Sequence, residues 1–325
     1  MTLDYGYLLP TRGVVLTSED DRELATAVES DVLGLARRVE ALEFESVWVG
    51  DSVLAKPRLE PLATLAAVGT ATDEVDLGTA VYLPTLRDPV HVAHLTATVD
   101  QLAGGGRLKL GIGVGIGPDV EAEYANLGLD FRTRGRRMDE LLEVLTALWD
   151  GESVDHDGDF FHLEDASVGF GPVGDPPIYV PTAAFDPSEG FPRPIRDRLV
   201  AHGDGWLPIG VAPSVYASSL QEIRGYLSDA GRDPDAFDPA LYLDVVIDED
   251  EAAALDEARE FYDRYYPAWD RLTDDEIRAR GAFGPAADVA ETVEAYDDAG
   301  VETLVVRFTA DDQHEQLDRF VDRVR

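Results

Sequence analysis

The chain has 325 residues, enough for one large domain or two smaller ones. Acidic residues outnumber basic residues by 65 to 27, which gives a formal net charge of −38. A field of this sign repels phosphate backbones and anionic lipid surfaces, so we expect no nucleic-acid partner and no membrane partner. Because 45% of the residues are hydrophobic, the chain differs from acidic disordered tails and is expected to fold.

Lysine is almost absent: Lys56 and Lys109 are the two lysines among 27 basic residues. Excess carboxylate with so little lysine indicates adaptation to molar salt, where charges are screened within about 3 Å; an ordinary acidic protein is the alternative. The absence of cysteine excludes disulfides and thiolate metal sites. The N-terminal residues do not resemble a signal peptide and no run of 18 apolar residues occurs, so a cytoplasmic location is expected.

Short apolar runs alternate with longer amphipathic segments along the chain, which is typical of parallel strands joined by helices. The predicted strands are residues 3–9, 46–49, 75–81, 108–114, 178–180, 205–209, 240–247 and 303–308. Helical periodicity is clearest over residues 32–42, 138–149 and 317–324. Eight strands with helices between them favour one (β/α)8 TIM barrel spanning residues 1–325 over a doubly wound sheet.

Three long intervals predict insertions after strands 4, 5 and 7 of this barrel. They cover residues 115–177, 181–194 and 248–285. In the first interval, Asp157 and Gly158 predict a hairpin turn. The third is highly charged and predicts two helices, one of them rich in aromatic residues between Phe261 and Trp269. These aromatic residues fit either helix packing or a lid over a hydrophobic substrate.

The active site of such a barrel lies where the strands end. The residues at the first three strand ends are Arg12, then Asp51 and Ser52, then Thr79, Ala80 and Val81. The fourth strand ends in LGIGVGIG, where glycine takes every second position, at Gly111, Gly113, Gly115 and Gly117. Alternate glycines clear one face of side chains, so a flat ring or a phosphate can approach the backbone there.

A set of stretches in fixed order carries a family resemblance. They are FESVWVGDS, VDLGTAVYLPTLRDPVHVAHLTATVDQLAGGGRLKLGIGVG, LGLDFRTRGRRMDELLEVLTALWDG, FFHLED, PPIYVPTAA and GDGWLP. In this order they resemble the bacterial-luciferase-like flavin and deazaflavin oxidoreductases, and the resemblance weakens after about residue 210. It implies a (β/α)8 barrel with an isoalloxazine-type ring lying across the strand ends.

The resemblance also implies roles for the residues at the second and third strand ends. Asp51 is expected to contact the polar edge of the ring. Some sugar-phosphate dehydrogenases of the family carry a catalytic His at the next position. That position is Ser52 here, which is the candidate catalytic residue. Thr79, Ala80 and Val81 are expected to contact the cofactor, with a non-prolyl cis peptide bond between Ala80 and Val81 behind the central ring.

Further cofactor contacts are expected at the fourth and fifth strand ends. Gly113 and Gly115 belong to the glycine-rich strand end. Many relatives carry a Gly-Gly after the fifth strand whose amides meet the cofactor phosphate, but Pro181 has no N–H to donate. The phosphate contacts are therefore expected at Thr182, Ala183 and Ala184.

The sequence predicts an oxidoreductase that moves a hydride between coenzyme F420, the deazaflavin, and a small organic substrate. A monooxygenase that uses reduced FMN and dioxygen is the alternative, and a non-catalytic flavin-binding barrel is a second one of another class. No metal is predicted, because His91 and His94 lack a third ligand and DHDGD fits a turn better than a calcium loop. A homodimer through barrel helices is expected from the resemblance.

The net charge adds a prediction about the cofactor site. Both candidate cofactors are anionic, so a uniformly acidic surface would oppose their capture. We therefore expect basic residues such as Arg12, Lys56 and Arg58 to gather near the strand ends.

Overall fold

A computed structural model describes residues 3–267 and 269–325. Its strands are β1 Asp4–Leu8, β2 Ser46–Val49, β3 Asp76–Tyr82, β4 Leu108–Ile112, β5 Val154–Asp157, β6 His162–Ala166, β7 Ile178–Val180, β8 Gly205–Trp206, β9 Asp238–Ile247, β10 Gly281–Gly284 and β11 Thr303–Phe308. Eight of them close into a parallel barrel in the order β1, β2, β3, β4, β7, β8, β9, β11. The predicted (β/α)8 barrel is confirmed.

Helices lie between the barrel strands along the chain. They are α1 Gly13–Thr17, α2 Asp21–Ala27, α3 Gly34–Ala41, α4 Pro61–Ala71, α5 Pro89–Leu102, α6 Pro118–Asn126, α7 Arg134–Trp149, α8 Arg193–His202, α9 Pro213–Asp229, α10 Glu251–Tyr265, α11 Asp274–Arg278, α12 Ala286–Asp298 and α13 Gln313–Arg323. A π-helical segment, Val28–Leu33, joins α2 to α3. None of the helices in the described ranges has the length and apolar content needed to cross a bilayer.

The helix starts follow local sequence rules. Before α5, the Asp88 side chain accepts the amide of Val90, and Pro89 takes the first helical position, where no N–H is needed. The helix then buries an apolar face against the barrel, as α7 does from Met138 to Trp149. Helices of this kind cover the outside of the barrel sheet. The functional site therefore lies at the ends of the strands.

Large rings fill the interior of the barrel because glycines face them. Trp48 and Tyr179 meet edge to face with ring centroids 5.5 Å apart. A Cβ atom at Gly78 would lie 2.1 Å from the Trp48 ring, and one at Gly205 would lie 2.3 Å from the Tyr179 ring. The middle of the barrel is therefore solid, and ligands are restricted to its end.

The insertions differ in how much of their structure the sequence predicted. The hairpin predicted at Asp157-Gly158 is formed by β5 and β6, and the two helices predicted after the seventh barrel strand are α10 and α11. Strand β10 was not predicted. It pairs in parallel with the second half of β9, from Asp244 to Ile247, and its four residues GAFG are too short and glycine-rich to show strand periodicity.

Candidate active site

The carboxyl ends of the barrel strands form a mouth. The site residues predicted from the sequence lie in the last part of these strands or directly after them, and all but Thr79 belong to the mouth. The mouth consists of the residues that end or follow β1, β2, β3, β4, β7, β8, β9 and β11. In residues 3–267 and 269–325, no group of three or more His, Asp or Glu side chains is arranged to hold a metal ion.

Asp51 lies after β2 and forms an ion pair with Arg87. Its carboxylate accepts Arg87 Nη1 at 2.6 Å and Nη2 at 3.0 Å, and the amide of Leu83 at 2.9 Å. The Asp51 side chain is 1% exposed. The Arg87 guanidinium also lies over the Tyr82 ring, 4.5 Å from its centroid. The pair thus connects the neighbouring ends of β2 and β3, and its bidentate geometry fixes both side chains.

Ser52 contacts a buried carboxylate that the sequence analysis missed. Its Oγ donates to Glu123 Oε1 at 3.1 Å and accepts the amide of Lys56 at 2.8 Å. The same Glu123 oxygen accepts the amides of residues 53, 54 and 55 at 2.5 to 3.2 Å. Glu123 therefore attaches the loop after β2 to helix α6. We call Asp51, Ser52, Arg87 and Glu123 the carboxylate side of the mouth.

The β3–β4 part of the mouth is built for close approach. The predicted cis peptide bond between Ala80 and Val81 is confirmed. Thr79 is fully buried and its Oγ1 donates to Gly111 O at 2.8 Å, so its side chain belongs to the barrel wall. A Cβ atom at Gly113 would lie 2.6 Å from Val81 Cγ2. Ala80, Val81, Gly113 and the nearby Gly115 are half-buried and reach the surface of the mouth.

The loop after β7 lies farther around the mouth. Thr182 O accepts the Trp206 indole N–H at 2.7 Å, and Thr182 Oγ1 accepts the amide of Ala184 at 3.2 Å. Ala183 and Ala184 are exposed. The Ala184 amide is therefore used inside the loop, and the contacts predicted for these three residues with a cofactor phosphate stay predictions.

Arg12, Lys56 and Arg58 come together at the mouth, near two tyrosines that follow β9. Arg12 Cζ lies 5.4 Å from the ring centroid of Tyr265 and 5.6 Å from that of Tyr266. Lys56 Nζ lies 5.5 Å from the Tyr266 centroid. Arg58 is close enough to Arg12 to lower the pKa of Arg12, after burial, which lowers it most. We call these five residues the cation side of the mouth.

A buried ion pair supports the cation side from beneath. Arg307 on β11 donates to both carboxylate oxygens of Asp244 on β9 at 2.6 Å, and Arg307 Nη1 donates to Tyr266 Oη at 2.9 Å. Tyr262 donates to the same carboxylate. Burial raises the pKa of Tyr265 to about 12. Burial also opposes ionisation of Tyr266, but the adjacent Arg307 guanidinium outweighs it and lowers the pKa of Tyr266.

Sequence reasoning missed Arg87, Glu123, Asp244 and Arg307, and it named Tyr266 only within the aromatic cluster between Phe261 and Trp269. Two signals were available. Arg87 stands in the LPTLRDP stretch directly after the third strand, and Asp244 and Arg307 interrupt otherwise apolar strands at inward positions. An ionisable residue inside a buried strand needs a partner, so two such residues of opposite sign predict an ion pair.

Comparisons with known proteins identify the family. The sequence model of a family described as luciferase-like monooxygenase matches residues 5–320. The chain therefore belongs to the luciferase-like monooxygenase family, and it is an enzyme of that family.

Relatives with assigned activities are similar over much of the chain. An F420-dependent glucose-6-phosphate dehydrogenase of Nocardia farcinica is 30% identical over 279 residues, 80% of each chain. A 5,10-methylenetetrahydromethanopterin reductase of Archaeoglobus fulgidus is 30% identical over 217 residues, 66% of this chain and 60% of the relative.

Solved structures share the fold across the whole chain. An F420-dependent secondary alcohol dehydrogenase, in complex with an F420-acetone adduct, superposes with a TM-score of 0.80 at 21% identity, covering 100% of this chain and 98% of the other. The monooxygenase RslO1 from Streptomyces bottropensis superposes with a TM-score of 0.81 at 20% identity, covering 99% and 98%. At these identities the likeness concerns the fold.

Proposed function

We propose that this enzyme is an oxidoreductase that moves a hydride between coenzyme F420 and a small organic substrate. The observation that carries the proposal is the 30% identity, over 80% of the chain, to a dehydrogenase that is F420-dependent. The relative from Archaeoglobus fulgidus is a reductase, so both relatives carry out redox reactions. The substrates of these relatives are not assigned to this chain.

The β3–β4 part of the mouth fits a flat cofactor ring. Gly113 and Gly115 have no side chains, and Ala80 and Val81 have small ones, so a tricyclic ring can lie against the backbone there. A side chain at Gly113 would collide with Val81, so glycine is needed here for β3 and β4 to pack closely. We propose that Ala80, Val81, Gly113 and Gly115 hold the ring, with Thr79 supporting them from the barrel wall.

When bound, coenzyme F420 supplies a ring carbon that accepts or releases a hydride. The chain must then orient the substrate, exclude water and exchange a proton with the substrate oxygen. We propose that Tyr266 Oη exchanges this proton. Arg307 donates to that oxygen at 2.9 Å and lowers the pKa of Tyr266, so the phenol gives up its proton more easily than an ordinary tyrosine. Trp269 stacks on one face of the Tyr266 ring with centroids 4.1 Å apart.

We propose that Ser52 acts as a positioning residue. Its hydroxyl donates to Glu123 and accepts the amide of Lys56, so both of its hydrogen-bonding roles are used within the loop. Asp51 remains the proposed contact for the polar edge of the ring. Since its carboxylate accepts two bonds from Arg87 and one from Leu83, ring and guanidinium would share it. An Asp51→Asn variant should then bind the cofactor more weakly.

The test is anaerobic titration of the purified protein with F420 and, separately, with FMN, followed by absorbance. The proposal requires saturable F420 binding and bleaching or recovery of the deazaflavin band when substrates are screened. Asp51→Asn should weaken F420 binding, whereas Asp130→Asn, which changes an exposed carboxylate, should leave it unchanged. Tight binding of FMN with no binding of F420 would instead support the monooxygenase.

A further inference from the structure

Arg12 is a buried cation without a partner for two of its nitrogen atoms. The residue is 5% exposed. Within the described part of the chain, Arg12 Nε and Nη1 make no hydrogen bond, and no carboxylate lies within 4.0 Å of the guanidinium. A buried charge left without hydrogen bonds is costly unless a ligand supplies them. The tyrosine rings on the cation side stabilise the charge through their faces but accept no strong hydrogen bond from it.

Two further cations lie near Arg12 in this part of the mouth. Arg58 fits there because residue 50 is glycine: a Cβ atom at Gly50 would lie 2.0 Å from Arg58 Nη1. Lys56 Nζ is 3.8 Å from Asp119 Oδ2, the only carboxylate among the described residues that pairs with any of these three cations. Three positive charges against one negative charge leave a local excess of positive charge in a chain whose net charge is −38. Such a concentration points to an anionic ligand.

Strand order separates this space from the loop proposed for the cofactor phosphate. In the closed order β1, β2, β3, β4, β7, β8, β9, β11, strand β7 lies four places from β1 in either direction. Arg12 follows β1 and Thr182 follows β7, so they stand on opposite sides of the mouth. The proposed ring contacts on β3 and β4 lie between them. We therefore assign an anion at Arg12 to a molecule other than the cofactor tail.

We propose that Arg12 and Arg58, with Lys56 at the rim, bind an oxyanion group of the substrate, a carboxylate or a phosphate. This inference rests on the proposed function, because it places the substrate between these cations and the ring held on β3 and β4. Tyr266 belongs to both parts of the site: its ring faces Arg12, and its Oη is the proposed proton carrier. The substrate is thus an anion whose reacting carbon lies within a few bonds of the anionic group.

The cofactor-free protein tests the anion site without depending on turnover. Inorganic phosphate and malonate, at ionic strength held constant with KCl, are titrated by calorimetry and by tryptophan fluorescence. Trp269, stacked on Tyr266, is the expected reporter. The variants are Arg12→Gln, Arg12→Lys and Arg58→Gln. Arg37→Gln is the matched control, because it removes a cation that is 48% exposed and paired with Glu29.

We expect saturable binding of at least one probe, weakened about tenfold or more by Arg12→Gln and by Arg58→Gln. Arg12→Lys should recover part of the affinity, and Arg37→Gln should match the unmodified protein. The tighter probe assigns the group as phosphate or carboxylate. If Arg12→Gln does not fold, Arg58→Gln decides. Equal binding by the unmodified protein and both glutamine variants, or no saturable binding, would overturn the proposal.

A separate F420 titration distinguishes the two proposals. If Arg12→Gln weakens F420 binding about tenfold as well, the cations hold the cofactor and the substrate assignment is wrong. If the unmodified protein binds phosphate or malonate through Arg12 but binds no F420, the proposed function fails and the oxyanion site stands. Unchanged F420 binding with lost anion binding supports both proposals.

Discussion

The two sides of the mouth differ in how their charged groups are hydrogen-bonded. On the carboxylate side, Glu123 Oε1 accepts four hydrogen bonds and Asp51 accepts three. On the cation side, two nitrogen atoms of Arg12 make no hydrogen bond to any described residue. Both sides lie in one barrel mouth, and Glu123, Asp51 and Arg12 are buried. Glu123 Oε2, by contrast with Oε1, makes no hydrogen bond within the part of the chain that the structure describes. An oxygen that accepts several hydrogen bonds holds the donating backbone in place, since any movement costs several bonds at once. The buried Arg12 cation holds no backbone of the described ranges in this way, and it gains hydrogen bonds only when an anion binds. The first side is built as a scaffold, and the second as a binding surface.

The largest expected effect comes from breaking the ion pair on the carboxylate side. Arg87→Met leaves the Asp51 carboxylate buried without its cation, and we expect it to lower the free energy of unfolding by about 3–5 kcal/mol. Denaturant unfolding at fixed salt measures this. Arg132→Met, at a residue whose side chain is 90% exposed, serves as the control and should leave stability unchanged. An equally small effect of Arg87→Met would show that the pair is not a scaffold.

Removing the Tyr266 hydroxyl tests whether the cation side of the mouth takes part in the reaction. Tyr266→Phe should lower kcat about 100-fold, because it removes a general acid–base group, without changing F420 affinity. The pH profile sharpens the test. In carbonyl reduction the protonated phenol is the active form, so kcat should fall as pH rises through the pKa of Tyr266, which lies below the ordinary value. In alcohol oxidation kcat should rise over the same pH interval. Tyr266→Phe should show neither of these pH-dependent changes in kcat.

Ser52→Ala provides the comparison for that experiment. A positioning residue held on Glu123 should change KM and cofactor affinity more than the pH profile of kcat. The assignment of the proton to Tyr266 would be contradicted if Ser52→Ala lost the pH dependence of kcat while Tyr266→Phe kept it.

A smaller effect is expected at Glu123. Glu123→Gln keeps one oxygen for the loop amides but removes the charge, so stability should fall by about 1–2 kcal/mol. Hydrogen exchange should accelerate at the amides of Val53 and Leu54, which donate to this carboxylate. Glu121→Gln, an exposed change on the same helix, should show neither effect. Unchanged exchange in Glu123→Gln would remove this carboxylate from the scaffold.

The smallest effect concerns a carboxylate that has the same function outside the mouth. Glu140 on α7 accepts the amides of Phe160 and Phe161 and contacts His156, so it attaches the hairpin of β5 and β6 to the helix. Burial raises the pKa of Glu140, but these donors outweigh burial and lower it. A carboxyl group whose pKa is lowered by folding stabilises above its unfolded pKa and loses that stabilisation as pH falls.

Glu140→Gln should therefore cost about 1 kcal/mol near neutral pH and progressively less in acid, where the native carboxylate is itself protonated. Unfolding curves measured at a series of pH values check this. A cost that stays constant down to pH 3 would show that charge does not contribute to the contact.

Much of the fold could be predicted because local patterns agree with the tertiary arrangement. Strands β2, β7 and β11 match the predicted bounds, since each is a short, mostly apolar run that the flanking residues delimit. The strand predicted over residues 205–209 reduces to Gly205–Trp206, with a further bridge at Ile209. Its pairing depends on neighbouring strands that a local pattern does not contain.

The sequence by itself determined the barrel, its insertions and the residues at each strand end, because burial periodicity and turn chemistry act over a few neighbouring positions. Only the tertiary structure decided which charges are paired. Asp51 meets Arg87 across 36 positions and Ser52 meets Glu123 across 71 positions, whereas Arg12 meets no carboxylate in the described ranges. Ion pairing depends on distances of a few ångströms between residues far apart in the chain, and those distances exist only once the barrel has closed.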